Sequence, residues 1–177
     1  MTWPRALPWI ALLLLAGLVL GDVDAPFLHG DDSGRGPVAG GTAGARLERV
    51  IDGDTSVAQV AGREERVRYI GLDTPETVKP NTPVQCFGPQ AHALNAQLLG
   101  AAGATLTLRF DRELRDRYGR LLAYVYRARD GLFVNARLVG AGAARTLEIA
   151  PNTAHAAQLS DLQDAAQATG RGLWTAC

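Results

Sequence analysis

From Arg46 onward the chain is a succession of short runs in which apolar and polar residues alternate, the period-2 signature of half-buried strands. Arg46 to Ile51 is the first, ended by the turn Asp52-Gly53-Asp54. Thr55 to Val60 is the second, closed by Ala61-Gly62, and Glu64 to Ile70 is the third. The period then changes. Gly88-Pro89 opens a helix running to about Leu99, with Pro89 suited to the first turn and Leu94, Leu98 and Leu99 at helical spacing. Ala104 to Phe110 and Leu121 to Arg127 restore alternation. Val134 to Leu138 starts a short helix ending near Gly140 or Gly142, and His155 to Thr169 is a final amphipathic helix stopped by Gly170. Three strands, a helix, two strands and two helices predict an α+β domain: a small antiparallel barrel carrying about three helices.

Ahead of this domain the pattern is of another kind. One positive charge, Arg5, precedes an apolar run from about Leu7 to Leu20, a length that suits a signal-peptide core and is short of the ~20 residues of a membrane span. Residues 1–21 are therefore expected to be a signal peptide, with an uncleaved N-terminal anchor as the competing reading. Residues 22–45 are acidic and then glycine-rich, without periodicity, and read as a flexible linker. Residues 46–177 remain as one domain. A secreted or periplasmic, cell-envelope location follows.

Composition changes this picture in two places. The formal charge of the whole chain is zero, but four aspartates (22, 24, 31 and 32) stand in the linker against Arg35, so that 46–177 carries 16 Arg/Lys against 14 Asp/Glu. A domain at about +2 is compatible with phosphate binding without demonstrating it. Cys86 and Cys177 are the only cysteines. Their spacing excludes a CxxC redox motif, and the three histidines are not placed to complete a zinc site. In an exported protein this leaves one disulfide joining the C-terminus to the body.

Charged residues concentrate in three segments. Ile51-Asp-Gly-Asp-Thr55 is either a tight hairpin turn or a pair of functional carboxylates. Arg66 to Glu76 is a strand that runs out through Gly71 and delivers Asp73, Thr74 and Glu76 at its end, with Arg68 either an ion-pair partner or a phosphate clamp. Asp111 to Arg120 is a charged loop ending in Tyr118-Gly119-Arg120 at a strand start. Together they suggest phosphodiester hydrolysis. Asp54, Asp73 and a loop carbonyl make an all-oxygen site for a hard cation such as calcium. Arg68 and Arg120 neutralise a phosphate whose charge rises in the transition state. Glu76 orients or deprotonates a water. Arg117 and Tyr118 are candidate substrate contacts.

With these residues in view the chain resembles the staphylococcal nuclease family. The resemblance rests on Ile51-Asp-Gly-Asp-Thr55, Arg68, Leu72-Asp-Thr-Pro-Glu76, Gly88-Pro89-Gln-Ala, Asp116-Arg-Tyr-Gly-Arg120 with Leu122-Ala-Tyr124, Asn135 with Leu138-Val, and Gly172-Leu-Trp174. It implies a five-stranded OB-fold barrel and Ca2+ held by Asp54, Asp73 and the Thr74 carbonyl. It also implies Glu76 as base or water-orienting group and Arg68 and Arg120 on the scissile phosphate. DNA and RNA would be the substrates, cut to 3′-phosphorylated products by a monomer. Cys86 and Cys177 resemble a disulfide-bearing exported branch. The stretch Leu147-Glu-Ile-Ala-Pro-Asn152 departs from the pattern, having no aromatic where the family stacks a terminal nucleotide. A non-catalytic OB-fold module that only binds nucleic acid is the alternative. It would be expected to lack one or more of Asp54, Arg68, Asp73, Glu76 and Arg120, and all five are present.

Overall fold

The computed structural model describes residues 36–77 and 83–177. The expected signal peptide and residues 22–35 of the expected linker lie outside the described residues. Among the described residues no helix is long and apolar enough to cross a membrane.

The chain runs β1 (Thr42–Asp52), β2 (Thr55–Val60), β3 (Arg63–Tyr69), β4 (Gly71–Asp73), α1 (Gly88–Leu99), β5 (Thr105–Arg109), β6 (Leu121–Arg127), α2 (Val134–Gly140), β7 (Arg145–Leu147), α3 (Ala156–Ala168) and α4 (Leu173–Ala176). Five strands close into a barrel in the order β1-β2-β3-β6-β5, the OB-fold, while β4 and β7 form a separate two-stranded sheet. β1 closes the barrel because it is long enough to serve two neighbours: Thr42–Arg46 pair with β5, and Ala45–Asp52 pair with β2. Register shifts after Leu47 and after Val50 bend it between the two partners.

The structure corrects the sequence reading in three respects. β1 starts at Thr42 rather than Arg46, because Ala43 and Ala45 turn inward even within glycine-rich sequence. The barrel is mixed rather than antiparallel: β3 and β6 run parallel, with Val67 against Leu121 and Arg68 against Leu122. The reason is connectivity, since α1 and β5 lie between them and return the chain to the same end. The short β4–β7 sheet and the last turn α4 carry too few residues to show a period.

Leu47, Val60, Val67, Tyr69, Leu106, Leu108, Leu121 and Val125 fill the barrel. Leu98 and Leu99 of α1, Val134, Leu138 and Val139 of α2 and Leu159 of α3 pack on the same core. Each such side chain contributes roughly 1.5–3 kcal/mol on burial. Two fully buried asparagines tie this core to the loops above it. Asn95 on α1 donates to the Asp52 carbonyl (2.9 Å) and accepts from the Tyr69 hydroxyl (3.2 Å). Asn135 on α2 donates to the Ile70 carbonyl (2.8 Å) and accepts from the Val125 N–H (2.9 Å). A carboxamide supplies one donor and one acceptor in fixed geometry, so each asparagine pins two chain segments at once.

The loop 110–120 is fastened at both ends. Asn152 donates to the Glu113 carbonyl and accepts its N–H, both at 2.8 Å. Arg115 makes a two-pronged pair with Glu65 of β3, Nη1 to Oε2 at 2.8 Å and Nη2 to Oε1 at 2.7 Å, and donates to the Gly119 carbonyl at 2.8 Å. The Arg115 hydrogen bond is the main cause holding the Glu65 carboxyl below its ordinary 4.5. A depressed folded pKa contributes stability above that ordinary value and loses it as pH falls through the folded one. Arg115 is partly exposed, so screening limits the pair to ~1 kcal/mol. Glu65→Gln is expected to lower the melting temperature by about 3–5 °C at neutral pH, with the difference vanishing near pH ~3. Paired thermal melts at the two pH values check this, and an equal difference at both would exclude the ion pair as its cause.

Candidate active site

Arg68 stands at the end of β3 opposite Thr55 of β2. Strand alternation buries its neighbours Val67 and Tyr69 and sends the guanidinium outward, yet the Arg68 side chain remains only 12 % exposed. The reason is the cage around it. Nη1 lies 3.0 Å from Asp54 Oδ2 and donates to the carbonyls of Leu72 (3.0 Å) and Tyr69 (3.3 Å), while Nη2 donates to Asp73 Oδ1 at 2.7 Å. One guanidinium thus bridges the two carboxylates that stood 19 residues apart in the sequence.

Asp54 follows the turn out of β1 and is itself almost fully buried. Its Oδ2 accepts from both the Thr74 N–H (2.8 Å) and the Thr74 hydroxyl (3.0 Å), and its Oδ1 accepts from the Thr55 hydroxyl (3.0 Å). These bonds fix the Thr74 peptide against Asp54. Gly53 owes its place to this approach. A Cβ there would stand 2.7–2.8 Å from three atoms of the Thr74 side chain, closer than any real contact. The Asp-Gly-Asp sequence is therefore a packing requirement of the site and not merely a turn.

Negative charge exceeds positive charge around Arg68. Burial raises the Asp73 carboxyl above its ordinary 3.8; Arg68 pulls it down, and the Asp54 and Glu76 charges push it up again. Asp52 behaves alike. Burial raises it first, the Thr77 hydroxyl (2.7 Å) and Gly53 N–H (2.8 Å) pull it back, and a hydrogen bond with the Glu76 carboxyl and the Asp54 charge raise it further. Asp54 and Asp73 thus share one guanidinium, with the Asp52 and Glu76 carboxyls within electrostatic reach of them. Oxygen-only donors with surplus negative charge are the chemistry that a hard dication meets. Among the described residues no three acidic, imidazole or thiol groups converge as a ready-made cluster; the oxygens that could meet a cation here are the carboxylates of Asp54 and Asp73 and the backbone carbonyl of Thr74. That set fits a partly hydrated cation.

Glu76 follows β4 in irregular chain, where Oε1 accepts the Thr77 N–H at 3.1 Å. Its electrostatic reach to Asp73 and its hydrogen bond with Asp52 place it at the edge of the carboxylate group.

Arg120 precedes β6, and because β6 runs parallel to β3 it stands beside Arg68's strand. Both arginines line one cleft of about 480 Å3, together with Arg117, Tyr118, Leu147 and Ile149. Arg120 is held by Asp116, which accepts from its Nε at 2.7 Å and from its backbone N–H at 3.0 Å. Tyr118 is 69 % exposed and projects over this wall. The guanidinium of Arg117 sits 4.8 Å from its ring centre and that of Arg120 5.5 Å, and Arg117 donates to its hydroxyl at 2.7 Å. Asp54 is absent from the lining of this cleft. Asp73 and Thr74 open instead on a smaller neighbour of about 220 Å3, lined also by Gln85, Arg145, Cys86 and Cys177. Arg68 is the residue common to the carboxylates and the larger cleft.

The fold therefore gathers Asp54, Arg68, Asp73, Thr74 and Glu76 on one side and Arg117, Tyr118 and Arg120 on the other. Cys86 and Cys177 are disulfide-bonded, with Cα atoms 5.9 Å apart. His155 packs against Tyr124 and Phe133, away from this chemistry. The sequence reading did not assign roles to Gln85, Asp116 or Asn152, and Asp52 entered it only as half of the carboxylate pair around Gly53. Asp116 left a trace there as a carboxylate four residues before Arg120.

Comparison with known proteins agrees with this geometry. Residues 66–176 match the family model described as staphylococcal nuclease homologue. The chain is 43 % identical over 128 residues to a thermonuclease of Staphylococcus intermedius, covering 72 % of this chain and 74 % of that protein. It is 39 % identical over 130 residues to the thermonuclease of Staphylococcus hyicus, covering 73 % and 75 %. With the endonuclease YncB of Bacillus subtilis it shares 40 % identity over 131 residues, covering 73 % and 60 %. The OB-fold barrel, the Asp-Gly-Asp-Thr and Asp-Thr-Pro-Glu segments and these similarities lead to one conclusion: the chain belongs to the staphylococcal nuclease family.

Proposed function

We propose that this protein is a calcium-dependent, exported nuclease that hydrolyses phosphodiester bonds of DNA and RNA and leaves 3′-phosphorylated products, acting as a monomer. Its kinship with thermonucleases and endonucleases makes it a hydrolase of nuclease type. The observation that carries the chemical reading is Arg68, which lies against Asp54 and Asp73 and also lines the cleft that holds Arg120.

Asp54, Asp73 and the Thr74 carbonyl would hold Ca2+, which supplies Lewis-acid polarisation of a phosphate oxygen. Arg68 and Arg120 bind the remaining phosphate oxygens through N–H donors. Their contribution grows as charge accumulates in the transition state, since both are already oriented, Arg68 by backbone carbonyls and Arg120 by Asp116. Glu76 orients a water and accepts its proton. Arg117 keeps Tyr118 upright at the mouth of the cleft.

The base-binding wall differs from an aromatic one. Leu147 and Ile149 are partly exposed and face the cleft as aliphatic side chains, which offer apolar contact without the ~1–3 kcal/mol per base that stacking supplies. Of the two tyrosines in that cleft's lining, Tyr69 is buried and Tyr118 is exposed, so stacking falls to Tyr118.

Chelation with EGTA should abolish DNA hydrolysis, and added calcium should restore it and raise the melting temperature of the wild-type protein but not of Asp54→Ala. Hydrolysis that persists in chelator would remove the metal assignment. Glu76→Gln should lower kcat by roughly 10²–10⁴-fold with an unchanged circular-dichroism spectrum; a near-wild-type rate would strip Glu76 of its role. Tyr118→Ala should raise KM about tenfold, at the weak end of one stacking contact, with little change in kcat. Steady-state kinetics on single-stranded DNA decide the point, and an unaltered KM would place base binding elsewhere.

A further inference from the structure

Glu76 lies in irregular chain beyond the end of β4, where no ladder of hydrogen bonds fixes its backbone. A group that orients water nevertheless needs placement to a fraction of an ångström. One residue, nine positions on, holds both of its backbone groups. The side-chain Oε1 of Gln85 accepts the Glu76 N–H at 2.9 Å, and the backbone N–H of Gln85 donates to the Glu76 carbonyl, also at 2.9 Å. With the N–H and C=O of one residue both held, the direction of its Cα–Cβ bond is held as well.

Gln85 is itself an exposed residue in irregular chain ahead of α1. Its own anchorage is on the page. Its carbonyl accepts the Gly88 N–H at 3.0 Å. The next residue, Cys86, is bonded to Cys177, and Phe87 packs on the core in a left-handed conformation (φ 68°). Cys177 in turn follows α4, which Leu173 fastens to the body by full burial and by an N–H donated to the Gly142 carbonyl at 2.9 Å. Gly88 admits the contact: a Cβ there would stand 3.1 and 3.2 Å from the carbonyl oxygens of Pro75 and Glu76 and 2.7 Å from Thr77.

We propose that Gln85 is a positioning residue for Glu76, and that the Cys86–Cys177 disulfide holds Gln85 in place, so that the C-terminus of the chain sets the alignment of the catalytic carboxylate. This rests on the role assigned above to Glu76. Gln85 acts through the Glu76 backbone. The disulfide accordingly has a catalytic consequence beyond its effect on stability.

The test uses the full chain, with steady-state hydrolysis of single-stranded DNA in saturating calcium. Gln85→Met keeps the length of the side chain and removes the acceptor. It should lower kcat about tenfold or more, leaving KM, the calcium concentration for half-maximal rate and the melting temperature unchanged. In a Glu76→Gln background the same substitution should have no further effect on the residual rate, because the group it positions is gone. The joint change Cys86→Ser with Cys177→Ser should lower kcat comparably, and adding Gln85→Met to it should cost little more. Wild-type kcat in Gln85→Met, or a full tenfold loss that persists in the Glu76→Gln background, overturns the proposal. If the cysteine pair fails to fold, the Gln85 and Glu76 variants decide the outcome alone. If Glu76→Gln cleaves at the wild-type rate, the assignment of Glu76 has failed, which is a result separable from any behaviour of Gln85.

Discussion

The site depends on a nearly buried guanidinium. Arg68 is removed from water by the cage around it and would be costly there unpaired. Asp54 and Asp73 neutralise it, and the carbonyls of Tyr69 and Leu72 take up its remaining donors. In satisfying one residue the chain joins the β1–β2 turn, the end of β3 and the whole of β4. Conversely, the two aspartates are tolerable so close together because a cation lies between them. In the function proposed above, a dication would satisfy the carboxylates and a phosphate would satisfy the arginine.

The loops that bring these groups together have little regular structure, and the fold holds them with carboxamides. Asn95 pins Asp52 to Tyr69, Asn135 pins Ile70 to Val125, and Asn152 grips Glu113 by both backbone groups. All three asparagines are buried, where an unmet polar group would cost about 1–3 kcal/mol. The same low dielectric that punishes a missing partner makes a complete set rigid. Loop residues can therefore carry the chemistry without needing helices or strands beneath each of them.

Several parts of this arrangement were legible in the residues. The alternation of Thr55–Val60 and Leu121–Arg127 marks strands because one face is wet and the other dry. Asp54, Arg68, Asp73, Glu76 and Arg120 stand out because three separate segments each carry chemistry suited to one phosphate. Other parts left no such mark. Thr42–Ala45 hides as linker because Ala and Gly are common to both states, and β4 and β7 are three residues each, shorter than a readable period. Gln85 shows nothing at all in the sequence, since its partner is a backbone N–H, and every residue but proline has one.

The sequence by itself determined the order of the five barrel strands and the three longer helices and the identity of the charged groups, because periodicity and residue type are local properties, while the OB-fold class came from the resemblance its motifs carry. Tertiary structure alone decided that β3 meets β6 in parallel, that Arg68 bridges Asp54 and Asp73, and that Arg120 answers to Asp116 while sharing a cleft with Arg68. These are pairings between positions far apart in the chain. They are fixed by register and by the cost of burying an unpaired charge, and neither quantity can be read from neighbours in sequence.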